Sequence, residues 1–322
     1  MFALKVVFRY HHSIADGIAI FRGFCKEFLD STTMAEKHVW NPKAANESNI
    51  KGFITWRNLL QMAYYGPRFL VYEILLKREC NPLYGAEPTN SKFVWWAGEH
   101  DGPPNHATSV ISAIKNVKRL VNGCSFTDIF LTAFATSLRS YCMRKCTPVP
   151  ATVTISQMYR FYQESAHIQL RNRSQAVFKT LPLGSLPFKS PTTSQLIRQI
   201  NAVKGSIDEA QARAEALITH LSVSYLPELL PASIVRLLFA RSKFSIALSN
   251  IPAFAGKVFM GNYLLLEGAF WVPNIEHNLF GLTLLTTDGR LQIGAVADRA
   301  IITDEEELER ILNETLQELR NM

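Results

Sequence analysis

Cysteine is scarce in this chain: five in 322 residues, an odd number with no CxxC pair among them. A disulfide framework is therefore excluded, and a reducing compartment is expected. No secretory signal is recognisable ahead of the first apolar segment, so the sequons at Asn46, Asn172 and Asn313 are expected to stay unmodified. Runs of one charge are missing as well. Lys and Arg number 34 against 27 Asp and Glu, for a net charge of +7, yet no five or six basic residues stand together. That excludes a nucleic-acid-binding arm, and no nucleic acid is expected as a partner. Positive charge spread in this way suits an anionic membrane surface or a phosphate-bearing ligand, and equally an ordinary basic globular surface.

Long hydrophobic runs are absent too, although 48% of the residues are apolar. The nearest approach, Phe53 to Leu76, is broken by Arg57, Gly66-Pro67, Arg68 and Glu73. Each charge near a bilayer centre costs about 2.5 to 3.5 kcal/mol, which excludes a membrane-spanning helix here. Trp56, Tyr64, Tyr65, Tyr72 and Lys77-Arg78 leave two readings open: a segment lying at a membrane interface, or a buried helical hairpin bent at Gly66-Pro67. Leu226 to Lys243 also mixes apolar and basic residues. There is no internal repeat and no low-complexity tract.

What is present is a mixture of strand and helix patterns. Phe2, Leu4, Val6, Phe8 and Tyr10 alternate with Lys5 and Arg9, the period of a strand, and Ile18, Phe21, Cys25, Phe28 and Leu29 follow at helical spacing. Asn81 to His106, with Pro82, Pro88 and Gly102-Pro103-Pro104, reads as a crossover between two lobes. Ser125 caps a helix, Asp128 completes its capping box, and Phe126, Ile129, Phe130, Ala133, Phe134, Leu138 and Tyr141 form a core-facing stripe. Strands are expected at Thr152 to Ser156, Ala176 to Leu181, Lys243 to Asn250 and Tyr263 to Phe270, and a helix near Thr193. Phe280 to Thr287 and Arg290 to Ala297 flank Asp288-Gly289, a strong hairpin signal. A last helix is expected from Thr303, with Glu306 closing its capping box.

The most informative stretch is His11-His12-Ser13-Ile14-Ala15-Asp16-Gly17, an HHxxxDG string at the junction between the first strand and the first helix. An imidazole held there is matched to proton abstraction near neutral pH, given its ordinary pKa of about 6.5. His12 shares strand parity with Phe8 and Tyr10, and His11 with Arg9, so His11 is expected to be structural. Gly17 would let the backbone turn into the helix without a Cβ clash. A metal site fits poorly: adjacent histidines on a strand point apart, and no third ligand is clustered with them.

In this setting the chain resembles the coenzyme-A-dependent acyltransferase superfamily, and within it the wax ester synthase/diacylglycerol acyltransferase (WS/DGAT) family. Ser249-Asn250-Ile251-Pro252 is similar to that family's SNxPG stretch, and the helix from Thr127-Asp128 to Leu138-Arg139 to its NDxxLA…LR helix. Val153 to Ser156 stands where the family has VPVSxR, and the terminal hairpin with Asp298 fits its C-terminal domain. The departures are Thr127 for asparagine and Ala253 for glycine. The DFGWG of the plant acyltransferases is absent.

The resemblance implies an α/β (α+β) fold: a two-lobed, chloramphenicol-acetyltransferase-like sandwich with mixed sheets. The family's further residues ahead of the motif are not found here, so the resemblance implies an N-terminally truncated chain whose first lobe is incomplete. Residues 1–105 would be the remnant of the N-terminal lobe and 106–322 the C-terminal lobe. It implies an acyl-CoA-dependent O-acyltransferase that esterifies a long-chain fatty alcohol or diacylglycerol, making wax ester or triacylglycerol. His12 would be the general base, with His11, Asp16 and Gly17 holding the motif, and Asn250 and Asp128 as candidate oxyanion or substrate contacts. No cofactor or metal is expected; acyl-CoA is a co-substrate. The expected location is the cytosolic face of the endoplasmic reticulum or another membrane, a lipid droplet or the plasma membrane. Two alternatives stand beside this: a catalytically inactive lipid- or partner-binding fragment of such an enzyme, and an acyltransferase acting on a small amine or alcohol.

Overall fold

A computed structural model describes residues 5–11, 14–29, 55–69, 71, 79, 81–89, 91–99, 109–160, 170, 174–184, 192–207, 209–234, 244–254, 256–274 and 278–322. Their centre is a six-stranded mixed sheet in the order β1-β8-β7-β4-β2-β3. Here β1 is Lys92–Gly98, β2 Thr152–Arg160, β3 Ser174–Pro182, β4 Ile246–Phe254, β7 Phe280–Thr287 and β8 Arg290–Asp298. β2, β4 and β7 run parallel, while β3, β8 and β1 are added antiparallel at the two sides. Phe280–Thr287 and Arg290–Asp298 are buried at nearly every residue because both sheet faces are covered. Between them Asp288 and Gly289 take φ of 49° and 70°, the left-handed pair of a tight two-residue hairpin.

Strand alternation sorts the sheet into two faces. Ile155, Ile246, Leu248, Phe280, Leu282, Leu284, Ile293 and Ala295 point to one side, into the main core. Four helices supply the rest of that core: α3 (Val110–Leu120), α4 (Phe126–Arg144), α5 (Thr193–Lys204) and α7 (Glu305–Asn321). α4 carries the expected capping box between Ser125 and Asp128, and Phe130 and Phe134 are wholly buried. On the other face lie α1 (Gly17–Phe28), α2 (Trp56–Arg68), α6 (Glu209–Leu229) and the irregular segment 265–274. A short ribbon of β5 (Phe259–Met260) and β6 (Tyr263–Leu264) adjoins that segment. Gly294 is required where segment 265–274 crosses: a Cβ there would stand 2.5 Å from Thr283 Oγ1 and 2.7 Å from the Phe270 carbonyl.

Several expectations change. Residues 5–11 join no ladder, because an alternating pattern makes a strand only where a neighbour offers backbone partners. They are held by side chains instead: the Lys5 ammonium lies 5.5 Å over the Trp96 ring, and Phe8 packs edge-on against Phe24 and Phe28. The stretch read as a crossover contains β1, which pairs along its whole length with β8. A lobe boundary at 105/106 therefore cuts through the sheet. Tyr263 to Phe270 is paired only at Tyr263–Leu264. α7 starts at Glu305 without a side-chain cap, since Asp304 accepts from Lys145 and Thr303 instead. α3 and α6 were not anticipated. α2 does form within Phe53 to Leu76, and Pro67 sits inside it; residues 72–78 lie outside the described residues.

Candidate active site

The HHxxxDG turn is built locally. Ile14 donates its N–H to the His11 carbonyl at 3.1 Å, and the His11 side chain is exposed. His12 and Ser13 lie outside the described residues. Asp16 is 7% exposed, and its Oδ1 accepts from Ile18 N at 3.2 Å and Ala19 N at 2.9 Å. It is the N-terminal cap of α1, a carboxylate facing the positive end of the helix. Burial, followed by the Asp16 charge, pushes the Tyr10 hydroxyl up, so the phenol remains a proton donor through neutral pH. Gly17 does not adopt a left-handed φ, and a Cβ there would meet Ile251 Cδ1 at 3.5 Å and Tyr10 Oη at 3.8 Å. These are ordinary contacts, so the turn itself does not demand glycine. What Gly17 marks is the place where the motif meets β4.

That meeting is the main tertiary fact about the site. Ile18, Phe21 and Phe24 of α1 pack with Ile251 and Ala253 of β4, Val258 and Leu285 in a second, smaller core. At this level the sheet divides. β2 and β4 pair only from Ile155↔Ile246 to Gln157↔Leu248, after which β2 continues with β3 and β4 with β7. Pro252 falls beyond the division, where no other strand among the described residues pairs with that edge of β4 and a residue lacking an N–H is tolerated. The Ser249-Asn250-Ile251-Pro252 stretch thus lines a split in the sheet beside the HHxxxDG turn.

Asn250 does not face that turn. It shares parity with Leu248 and points into the helical side, where its Nδ2 donates to Thr127 Oγ1 at 3.4 Å. The residue of the stretch that shares the face of Ile251 is Ser249, and alternation along β4 was the signal that could have singled it out. Asp128 is likewise engaged: Oδ2 accepts from Ser125 N and Oγ at 2.8 Å each, and Oδ1 pairs with the Lys179 ammonium. Burial pushes the Asp128 carboxyl up, but Lys179 and the Ser125 hydrogen bonds outweigh it and hold the group below the usual range. Asp128 and Asn250 therefore fix the start of α4 to β3 and β4, rather than converging with the motif on one cleft. Among the described residues no three His, Cys, Asp or Glu side chains converge as a metal site would require.

The mixed α/β architecture around this sheet is the fold of condensation-domain and CoA-dependent acyltransferase structures. Three solved structures illustrate the likeness. A wax ester synthase/diacylglycerol acyltransferase from Marinobacter aquaeolei VT8 superposes with a TM-score of 0.53 at 14% identity, over 96% of this chain and 65% of that one. The first condensation domain of the calcium-dependent antibiotic synthetase gives 0.54 at 13% identity, over 96% and 64%. A trichothecene 15-O-acetyltransferase from Fusarium sporotrichioides gives 0.52 at 12% identity, over 86% and 55%. The chain thus spans less than two thirds of the length of each. Residues 180–320 match the family model of the WS/DGAT C-terminal domain. No curated protein sequence matches the chain.

Proposed function

We propose that this chain is an acyl-CoA-dependent O-acyltransferase of the WS/DGAT type, acting on a long-chain fatty alcohol or diacylglycerol at a membrane or lipid-droplet surface. One observation carries the reading: the Asp16-Gly17 end of the HHxxxDG turn is seated on Ile251, inside the segment that matches the WS/DGAT C-terminal domain. In this proposal His12 takes the proton of the acceptor hydroxyl as its oxygen attacks the thioester carbonyl. The tetrahedral oxyanion then collapses, the C–S bond breaks, and the proton passes from His12 to the departing coenzyme A thiolate. No acyl-enzyme is needed, because both substrates meet at one imidazole. Asp16 and α1 act by fixing the turn that carries it.

A second reading, a catalytically inactive lipid- or partner-binding chain, is favoured by residues 5–11, an exposed apolar stretch without a ladder partner. Thiol release from long-chain acyl-CoA in the presence of fatty alcohol, diacylglycerol or a short alcohol separates the readings. Turnover that needs a lipophilic acceptor and vanishes in His12→Ala, while His11→Ala retains it, supports the first. Acyl-CoA binding without turnover supports the second, and preference for a short acceptor favours the small-molecule alternative.

A further inference from the structure

α2 buries Phe69 just past its end and half-buries Leu59, Met62 and Tyr65, yet it also turns large apolar side chains to the outside. Its inward residues include Asn58, which is buried, and Gln61, whose Oε1 is buried with no hydrogen-bond partner. Gly66 is buried as well, where a Cβ would stand 3.3 Å from Ile218 Cδ1 of α6. Its outward residues are aromatic and aliphatic: Trp56 is 75% exposed, Leu60 54% and Tyr64 78%. Steps of four residues place these three in one stripe, with Pro67 and Val71 continuing it. A soluble surface helix keeps its large apolar residues on the inner face and polar residues outside. Single exposed apolar side chains are ordinary, but a contiguous stripe of them marks a docking surface.

The charge on α2 narrows the partner. The helix carries no acidic residue, and its only ionised side chains, Arg57 near one end and Arg68 at the other, are both exposed. Trp and Tyr rings alongside arginines match a bilayer's headgroup boundary, where the rings sit among the acyl chain ends and the guanidinium groups meet lipid phosphate. No helix among the described residues is long and apolar enough to cross a membrane. We infer that the outer stripe of α2, Trp56-Leu60-Tyr64 with Arg57 and Arg68 beside it, lies flat on an anionic lipid surface. This names the docking face for the membrane location in the proposed function, and it rests on that reading only for its purpose. Vesicle binding is read without turnover, so either idea can fail while the other stands.

The test is flotation of the full chain with vesicles of phosphatidylcholine alone and with added phosphatidylserine. Binding should be stronger by roughly tenfold or more with phosphatidylserine, since two basic side chains near such a surface contribute about fivefold each. It should weaken in about 0.5 M salt, where screening shortens the reach of each charge to a few ångströms. Trp56→Glu combined with Tyr64→Glu should lower binding at least tenfold with an unchanged melting temperature, because both side chains are already in water. Arg57→Gln with Arg68→Gln should remove the phosphatidylserine preference and leave weak binding to neutral vesicles. Wild-type vesicle binding by the Trp56/Tyr64 double variant overturns the inference. So does a wild-type dimer that this variant converts to monomer, with no vesicle binding by either, since the stripe would then seat a second copy of the chain.

Discussion

Asn250 and Thr127 meet across 3.4 Å at the point where β4 passes the first turn of α4, while the next residue, Ile251, turns the other way onto Gly17. One strand thereby joins two sequence motifs on opposite faces of the sheet. A substitution on the helical face should act on stability, and one on the motif face on chemistry. Asn250→Ala and Thr127→Val are each expected to cost about 1 kcal/mol and to be less than additive in combination, as for two ends of one hydrogen bond. Ser249→Ala, on the face of Ile251, is expected to lower turnover at least tenfold with little change in melting temperature. Denaturant unfolding and kcat on the same four proteins check this, and additive stability losses would sever the Asn250–Thr127 link.

The buried pair of Asp128 and Lys179 ties α4 to β3. Lys179→Met should destabilise the protein by roughly 3 to 5 kcal/mol, because it leaves a carboxylate buried without its cation. The pH dependence has a definite sign. In the folded wild type Asp128 titrates below its ordinary value, so its contribution is fully present above about pH 4 and is lost as pH falls through the depressed pKa. Without Lys179 burial dominates and raises the carboxyl, so the variant's deficit should shrink as pH is lowered and Asp128 protonates. Melting curves of both proteins from neutral pH to about pH 4 test the point; a deficit independent of pH would count against the pairing.

Asp16 offers a cleaner separation of cap and charge. Asp16→Ala should cost about 1 kcal/mol, the usual loss for an N-cap, and Asp16→Asn only a few tenths, because asparagine caps equally well. Thermal melts of the two variants distinguish capping from any purely electrostatic role, which would make Asn as harmful as Ala.

Gly294→Ala probes the covering of the sheet. With the Phe270 carbonyl 2.7 Å from the new methyl group, either segment 265–274 must lift or β8 must shift. A loss of roughly 1 to 3 kcal/mol is expected, typical of overpacking at a backbone contact. An unchanged melting temperature would show that segment 265–274 does not press on β8.

Elements whose determinants are local were legible in the chain. The Asp288-Gly289 hairpin needs two residues tolerant of positive φ, and the α4 cap needs Ser125 and Asp128 three apart; both formed as expected. The start of α7 misled because Thr303 and Glu306 have capping-box spacing, yet Asp304 is drawn off by Lys145 of a distant helix end. β1 was hidden among Pro82, Pro88 and Gly102-Pro103-Pro104, although Phe93-Val94-Trp95-Trp96 has strong strand character.

The order of residues alone determined some local pieces: where α4 begins, where the last hairpin turns, and that an imidazole pair stands ahead of Asp16-Gly17. Which strands pair, which side of β4 each residue of Ser249-Asn250-Ile251 faces, and that α1 comes to rest on Ile251 were decided only in three dimensions. Those outcomes depend on ladder register and on apolar surfaces contributed from both ends of the chain. A two-residue alternation is the same on paper whether a neighbouring strand is present, as for β4, or missing, as for residues 5–11.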